Sequence, residues 1–271
     1  MELKSNYEYF DTFLKCIEQG YQAISTGFEK LDSLLNGGLY SQLYVLGAMS
    51  SVGKTSLTLQ IADNIANSGT GVIMFSIEMT KNNMMSKTLS RLSYEANHRL
   101  SCIDIMKLQN IETTKELLNL YQNTSKNIFL YEGITTLELV SKTIEEYIST
   151  YNAKPVVIID YLQIMATDKS LSDKQKIDFF ITNLHYFCKR YDIPIIAISS
   201  FSRVAYEREA SMSSFKESGN IEYEADVLLT LEKENQNNDI VKLSVIKQRN
   251  GQKDVSSKYH FVPKYSYFEE V

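Results

Sequence analysis

The chain is 271 residues long, 44% hydrophobic and 11% aromatic, enough to bury a substantial core as one large domain or two small ones; one domain behind a short leader is expected. With 33 acidic against 28 basic side chains the net charge is -5, which excludes a broad polycationic nucleic-acid surface and leaves room only for a local basic one. No apolar run approaches the roughly 20 residues that span a bilayer and no charged-then-apolar leader is present, so a cytoplasmic protein without a membrane partner is expected.

The first 19 residues set Tyr7, Phe10, Phe13, Leu14 and Ile17 at three- and four-residue spacing, an amphipathic helix that Gly20 can end. Its apolar face must cover something, either its own domain or a neighbouring subunit. From there, apolar runs rich in β-branched residues predict buried parallel strands over residues 43–48, 71–76, 127–131, 155–160 and 193–199. Helical patterns fall between them, over 54–67, 82–94, 113–122, 137–151 and 174–191. Such alternation predicts an α/β fold, a mostly parallel sheet with helices on both faces. The tail changes character: strands over 226–232 and 240–247 around a polar turn at 233–239, then another near 258–262, predict an antiparallel extension. The polar stretches 167–174 and 232–239 read as exposed loops. Cys16, Cys102 and Cys188 lie far apart, as do His98, His185 and His260. Neither a zinc site nor a disulfide scaffold is indicated.

The first predicted strand runs into Ala48-Met49-Ser50-Ser51-Val52-Gly53-Lys54-Thr55-Ser56 and restarts as a helix, the layout that a nucleoside triphosphate needs. Backbone N–H groups of Ala48, Ser50, Ser51, Val52, Gly53 and Ser56 can wrap phosphates, Lys54 can reach the β and γ oxygens, and the Thr55 hydroxyl can ligate Mg²⁺. ATP and Mg²⁺ are therefore the expected ligands. The loop departs from G-x-x-x-x-G-K-[ST] by placing Ala48 at its first position.

Two acids follow strands. Asp160 ends Val156-Val157-Ile158-Ile159, where an acid beside a phosphate loop holds the metal's water shell. Glu78, in Phe75-Ser76-Ile77-Glu78-Met79, stands either to polarise a water for attack on the γ-phosphate or simply to offset a helix macrodipole.

In order along the chain come Thr26-Gly27-Phe28, Leu31-Asp32, the Ala48–Thr55 loop, Ser76-Ile77-Glu78-Met79, Ile159-Asp160-Tyr161-Leu162-Gln163, Ile198-Ser199, Glu217-Ser218-Gly219-Asn220-Ile221-Glu222, Ala225-Asp226 and Lys247-Gln248-Arg249-Asn250-Gly251. This set resembles the RecA-like motor domain of the DnaB family of replicative helicases, over about residues 25–262. The resemblance implies a RecA-like domain over 25–271 behind a linker-like helix in 1–24. It further implies a hexameric homo-oligomeric ring with ATP between subunits, Lys54 and Thr55 on phosphates and metal, Asp160 on the magnesium shell and Glu78 as catalytic base. Lys247 and Arg249 match the pair that reaches the neighbour's γ-phosphate; solvated charges at a hairpin turn are the plainer reading. Segments 202–214 and 215–224 match DNA-facing loops, which puts Arg203, Arg208, Lys216, Glu217, Ser218, Gly219 and Asn220 on single-stranded DNA.

Ser200 stands where the family places a glutamine that senses the γ-phosphate, and Lys216 replaces an arginine. The family's globular N-terminal domain has no counterpart in this sequence. The expected activity is ATP-driven translocation on single-stranded DNA and duplex separation in replication, as in a compact phage, plasmid or mobile-element helicase, with a loader, initiator or primase as further partners. A nucleotide-binding ring that recruits a partner without unwinding is the second reading, favoured by Ser200 and the acidic balance. A RecA-like recombination or clock-type ATPase is the third, disfavoured by the Lys-Gln-Arg-Asn-Gly run.

Overall fold

The computed structural model describes residues 5–18, 22–133, 135–162, 172–201, 215, 219–235 and 239–271. Its centre is a nine-stranded sheet in the order β3-β2-β4-β5-β1-β6-β7-β8-β9. The strands are β1 (Leu43–Ala48), β2 (Val72–Ser76), β3 (Ile128–Glu132), β4 (Val156–Asp160), β5 (Ile195–Ser200), β6 (Val227–Lys233), β7 (Ile240–Gln248), β8 (Val255–Val262) and β9 (Tyr267–Glu270). The helices are α1 (Phe10–Glu18), α2 (Glu29–Leu34), α3 (Lys54–Asn67), α4 (Lys81–Glu95), α5 (Cys102–Met106), α6 (Ile111–Ser125), α7 (Leu137–Tyr151), α8 (Asp173–Tyr191) and α9 (Gly219–Glu224).

Both faces of β1, β2 and β4 are buried along their whole length, which is why these strands read as unbroken apolar runs. Alternate residues serve opposite layers. Leu46, Met74 and Ile158 meet α2 and α3 on one side, and Val45, Ile73 and Val157 meet α7 and α8 on the other. A satellite cluster of Leu89, Ile105, Leu117 and Tyr121 joins α4, α5 and α6.

One expected strand changes its place. The sequence puts β6 at the opening of the antiparallel tail, but it runs parallel to β1, with Tyr44 opposite Val227, and antiparallel only to β7. The reason is its approach: α9 precedes it, so the chain reaches β6 through a crossover, and the antiparallel extension consists of β7, β8 and β9. At the other end, a 3₁₀ turn (Asn6–Tyr9) leads into α1, and Tyr7, Phe10, Phe13 and Leu14 are all more than half exposed. Of the two covers open to this face, its own domain is not what these side chains meet. Ile17's side chain and Gly20 lie outside the described residues. No described helix is long and apolar enough to cross a membrane.

The signature Thr26-Gly27-Phe28…Asp32 has a structural role. Asp32 accepts hydrogen bonds from the Thr26 backbone N–H at 2.8 Å and the Thr26 hydroxyl at 2.7 Å, and Asn64 of α3 donates to the Thr26 carbonyl at 3.1 Å. This ties the segment before α2 to the helix that carries the phosphate loop.

The extension braces the same helix from another side. Phe261 of β8 stacks on Phe268 of β9 at 4.2 Å between ring centroids. The Gln60 amide both donates to the Phe268 carbonyl (2.9 Å) and accepts from its N–H (2.8 Å). Phe268 is 1% exposed, so Phe268→Ala is expected to destabilise the fold by about 3–5 kcal/mol, measured as a fall in the denaturant midpoint at unchanged m-value.

Candidate functional site

The site forms at the carboxyl edge of the parallel strands, where an open α/β sheet binds ligands. β4, β5 and β1 lie side by side, so Asp160, Ser200 and the loop after Ala48 share one edge. The Ile77 N–H donates to the Asp160 carbonyl at 3.0 Å, which holds the turn after β2, and with it Glu78, beside the end of β4.

Between Ala48 and α3 the backbone turns sharply. Ser51 takes φ +64° and Gly53, the residue before α3, φ +109°. A Cβ at Gly53 would come within 2.9 Å of Phe261 and Phe268, so both its conformation and the aromatic pair behind it require glycine. Ala48 is fully buried at the end of β1, within the strand and before the positive-φ positions, so a methyl group there meets no conformational barrier.

Lys54 folds back over the loop, donating to the carbonyls of Ala48 (2.9 Å) and Met49 (2.8 Å). Burial lowers its pKa, against the opposing fields of Asp160 and Glu78. The Thr55 hydroxyl donates to Asp160 Oδ2 at 2.8 Å. These groups, with Ser50, Ser51, Gly53, Ser56 and the exposed Glu78, line an open cleft of about 360 Å³. Val52 is buried beneath the loop, where its N–H rather than its side chain is relevant. Lys87, Phe261 and Pro263, which none of the sequence motifs contains, also line the cleft, as does Tyr161 beside Asp160.

Burial raises the Asp160 carboxyl to about 6, with Glu78 adding to the rise and the Thr55 hydrogen bond opposing it. Because the folded value lies above the ordinary 3.8, proton uptake stabilises the empty fold: the gain is full below about pH 4 and is lost as pH rises through about 6. Asp160→Asn cannot ionise, so it is expected to raise the Tm of nucleotide-free protein at pH 7.5, with most of the difference gone at pH 4.5. A Tm difference of equal size at both pH values contradicts this origin.

Lys247 and Arg249 are not in the cleft lining. Lys247 donates to the carbonyls of Glu222 (2.5 Å) and Ala225 (2.7 Å) at the end of α9. Arg249 donates to the Tyr223 carbonyl at 2.7 Å and pairs with Asp226 at 3.3 Å. Asp226 also accepts from the Leu43 N–H at 2.9 Å and faces His185, which contacts Glu224 at 2.9 Å. The basic pair is thus anchored on α9 and the start of β1. Burial lowers the Lys247 pKa, and Arg249 adds to the effect. Gly219 and Asn220 open α9; Arg203, Arg208, Lys216, Glu217 and Ser218 lie outside the described residues.

A parallel sheet ordered 3-2-4-5-1, with a phosphate loop leaving β1 and an acid ending β4, defines a RecA-like P-loop domain. Its fold matches a separately solved ATPase domain with a TM-score of 0.87 at 23% identity, over 100% of both chains. It also matches a DnaB-like replicative helicase studied for its interactions with primase, with a TM-score of 0.83 at 22% identity, over 98% of this chain and 67% of that one. The family model for the DnaB-like helicase C terminal domain matches residues 23–270, and the chain belongs to that family. Among relatives, a probable replicative DNA helicase of Trieres chinensis is 31% identical over 249 residues, 84% of this chain and 53% of that protein. The replicative DNA helicase DnaB of Mycoplasma genitalium is 31% identical over 268 residues, 89% and 56% respectively. The chain spans about half the length of these relatives.

Proposed function

We propose that this chain is the ATP-hydrolysing motor of a ring-forming replicative DNA helicase, with residues 25–271 as the motor and 1–24 as an arm. One observation carries the reading: the phosphate loop, Lys54, Thr55, Glu78 and Asp160 line one cleft, while the basic pair that would finish the site is anchored elsewhere, at the end of α9 and partly exposed. An incomplete site and an outlying arginine fit an active centre shared between neighbours. The hexamer is the form implied by family membership.

In this reading Lys54 leaves the loop carbonyls to hold the β and γ oxygens, and backbone N–H groups of residues 50–56 hold the chain of phosphates. The residues present suit Mg²⁺: Thr55 and Asp160 offer hard oxygen ligands 2.8 Å apart and would hold an ion that would supply positive charge against the phosphates. Glu78 accepts a proton from the attacking water, and Arg249 of an adjoining subunit meets the charge developing on the γ-phosphate. Single-stranded DNA is taken to run past residues 202–220, and a primase or loader is the expected further partner. A cytoplasmic setting accords with this role.

The test is strand displacement on a forked duplex, with ATP and with a non-hydrolysable analogue. Unwinding with ATP alone supports the motor. A second reading rests on Ser200, whose short side chain lines the cleft where a γ-phosphate sensor belongs: a nucleotide-gated ring that recruits a partner. Assembly with either nucleotide and no unwinding would establish that reading instead.

A further inference from the structure

His185 stands on α8, buried and outside every sequence motif. Both of its ring nitrogens face carboxylates: Nδ1 lies 2.9 Å from Glu224 Oε2, and Nε2 lies 3.4 Å from Asp226 Oδ2. Nε2 is fully buried and makes no hydrogen bond among the described residues. A polar atom withdrawn from water in this way costs free energy, and the acid it faces is the one that pairs with Arg249.

The Arg249 guanidinium has two anchors, and His185 stands behind each of them. Its Nε pairs with Asp226 Oδ1 at 3.3 Å, and its Nη2 donates to the Tyr223 carbonyl at 2.7 Å. The other Asp226 oxygen accepts from the Leu43 N–H at 2.9 Å and faces the His185 ring. Tyr223 belongs to the last turn of α9, whose final residue, Glu224, meets α8 through His185 Nδ1 and through the Thr182 hydroxyl at 3.4 Å. Thr182 and His185 are three residues apart and share one face of α8.

An imidazole carries a nitrogen on each side, so a single side chain bridges the two acids. The Arg249 side chain is 43% exposed, and it keeps a fixed direction only as far as Asp226 and the end of α9 are rigid. His185 does not line the nucleotide cleft of its own subunit. Any effect it has on hydrolysis therefore passes through the arginine.

We propose that His185 is a positioning residue: by bridging Glu224 and Asp226 it sets the direction in which Arg249 reaches the γ-phosphate held by the neighbouring subunit. The inference rests on the shared-site reading above. A displacement of about 1 Å in a group that meets the reacting atoms costs up to about 10²-fold in rate.

The test uses the full chain in mixed assemblies. When Lys54→Ala subunits are combined with Arg249→Ala subunits, the first kind supplies the arginine and the second the cleft, so a substitution of His185 can be placed on either side. His185→Leu removes both polar contacts, His185→Asn keeps a donor toward Glu224 and drops the one toward Asp226, and His185→Lys restores donors for both acids. In the arginine-supplying subunit, His185→Leu is expected to lower the recovered ATP turnover by about 10–100-fold, with a smaller loss for His185→Asn and most of the turnover regained with His185→Lys. In the cleft-supplying subunit none of the three changes it. Turnover unchanged from either placement overturns the inference. Losses of equal size from both placements, in His185→Leu and His185→Asn alike, also overturn it, because the residue then serves the fold of its own subunit; so does a loss that lysine fails to recover. Failure of the underlying reading looks different: a parent mixture with intact His185 that recovers no turnover removes the shared site, and this inference with it.

Discussion

Arg249→Ala is expected to cut ATP turnover by the assembled protein by about 10³–10⁵-fold, the range for losing an arginine that meets the charge of a transferring phosphoryl group. Its guanidinium is 2.7 Å from the Tyr223 carbonyl and 3.3 Å from Asp226, with its side chain 43% exposed. A role limited to capping α9 predicts a different outcome, a stability loss of about 1 kcal/mol with turnover kept. Mixing decides between the two. When Arg249→Ala subunits are combined with Lys54→Ala subunits, some interfaces join an intact cleft to an intact arginine, and part of the activity returns. If the mixture is as inactive as its two components, the arginine does not act across an interface.

Glu78→Gln is the second large effect, a fall of about 10²–10⁴-fold in turnover with ATP still bound. The geometry supports a base at this point. The Met79 N–H donates to the Ser76 hydroxyl at 3.1 Å and the Ile77 N–H to the Asp160 carbonyl at 3.0 Å, so the turn that carries Glu78 is tied at both ends. Glutamine preserves length and hydrogen bonding and removes only basicity. Single-turnover hydrolysis, together with the ATP Kd, separates chemistry from binding. Unaltered turnover takes Glu78 out of the mechanism and leaves it as a charge near the start of α4.

Much of this molecule could be read directly from residue order. Helices α3 and α7 and strand β1 begin and end where the apolar periodicity places them, because buried parallel strands are continuous and the turns between them carry the breaks. Elements missed on the sequence are short: α2 and α9 have six residues, α5 five and β9 four, too few for a period to repeat. Lys87 escaped for another reason. On α4 it looks like any solvent-facing lysine, and only the packing of α4 on α3 turns it into the cleft. The anchorage of Arg249 is likewise non-local, since Tyr223 is 26 residues away in sequence.

The aromatic pair behind Gly53 has a consequence for synthesis. The phosphate loop is made early, but the rings of Phe261 and Phe268 that support it, and the backbone that satisfies Gln60, belong to residues translated some two hundred positions later. A nascent chain released or clipped before that segment emerges carries the loop's sequence without its foundation. Competence to hold a nucleotide therefore arrives only once residues 261–268 have been made and folded, long after the loop itself.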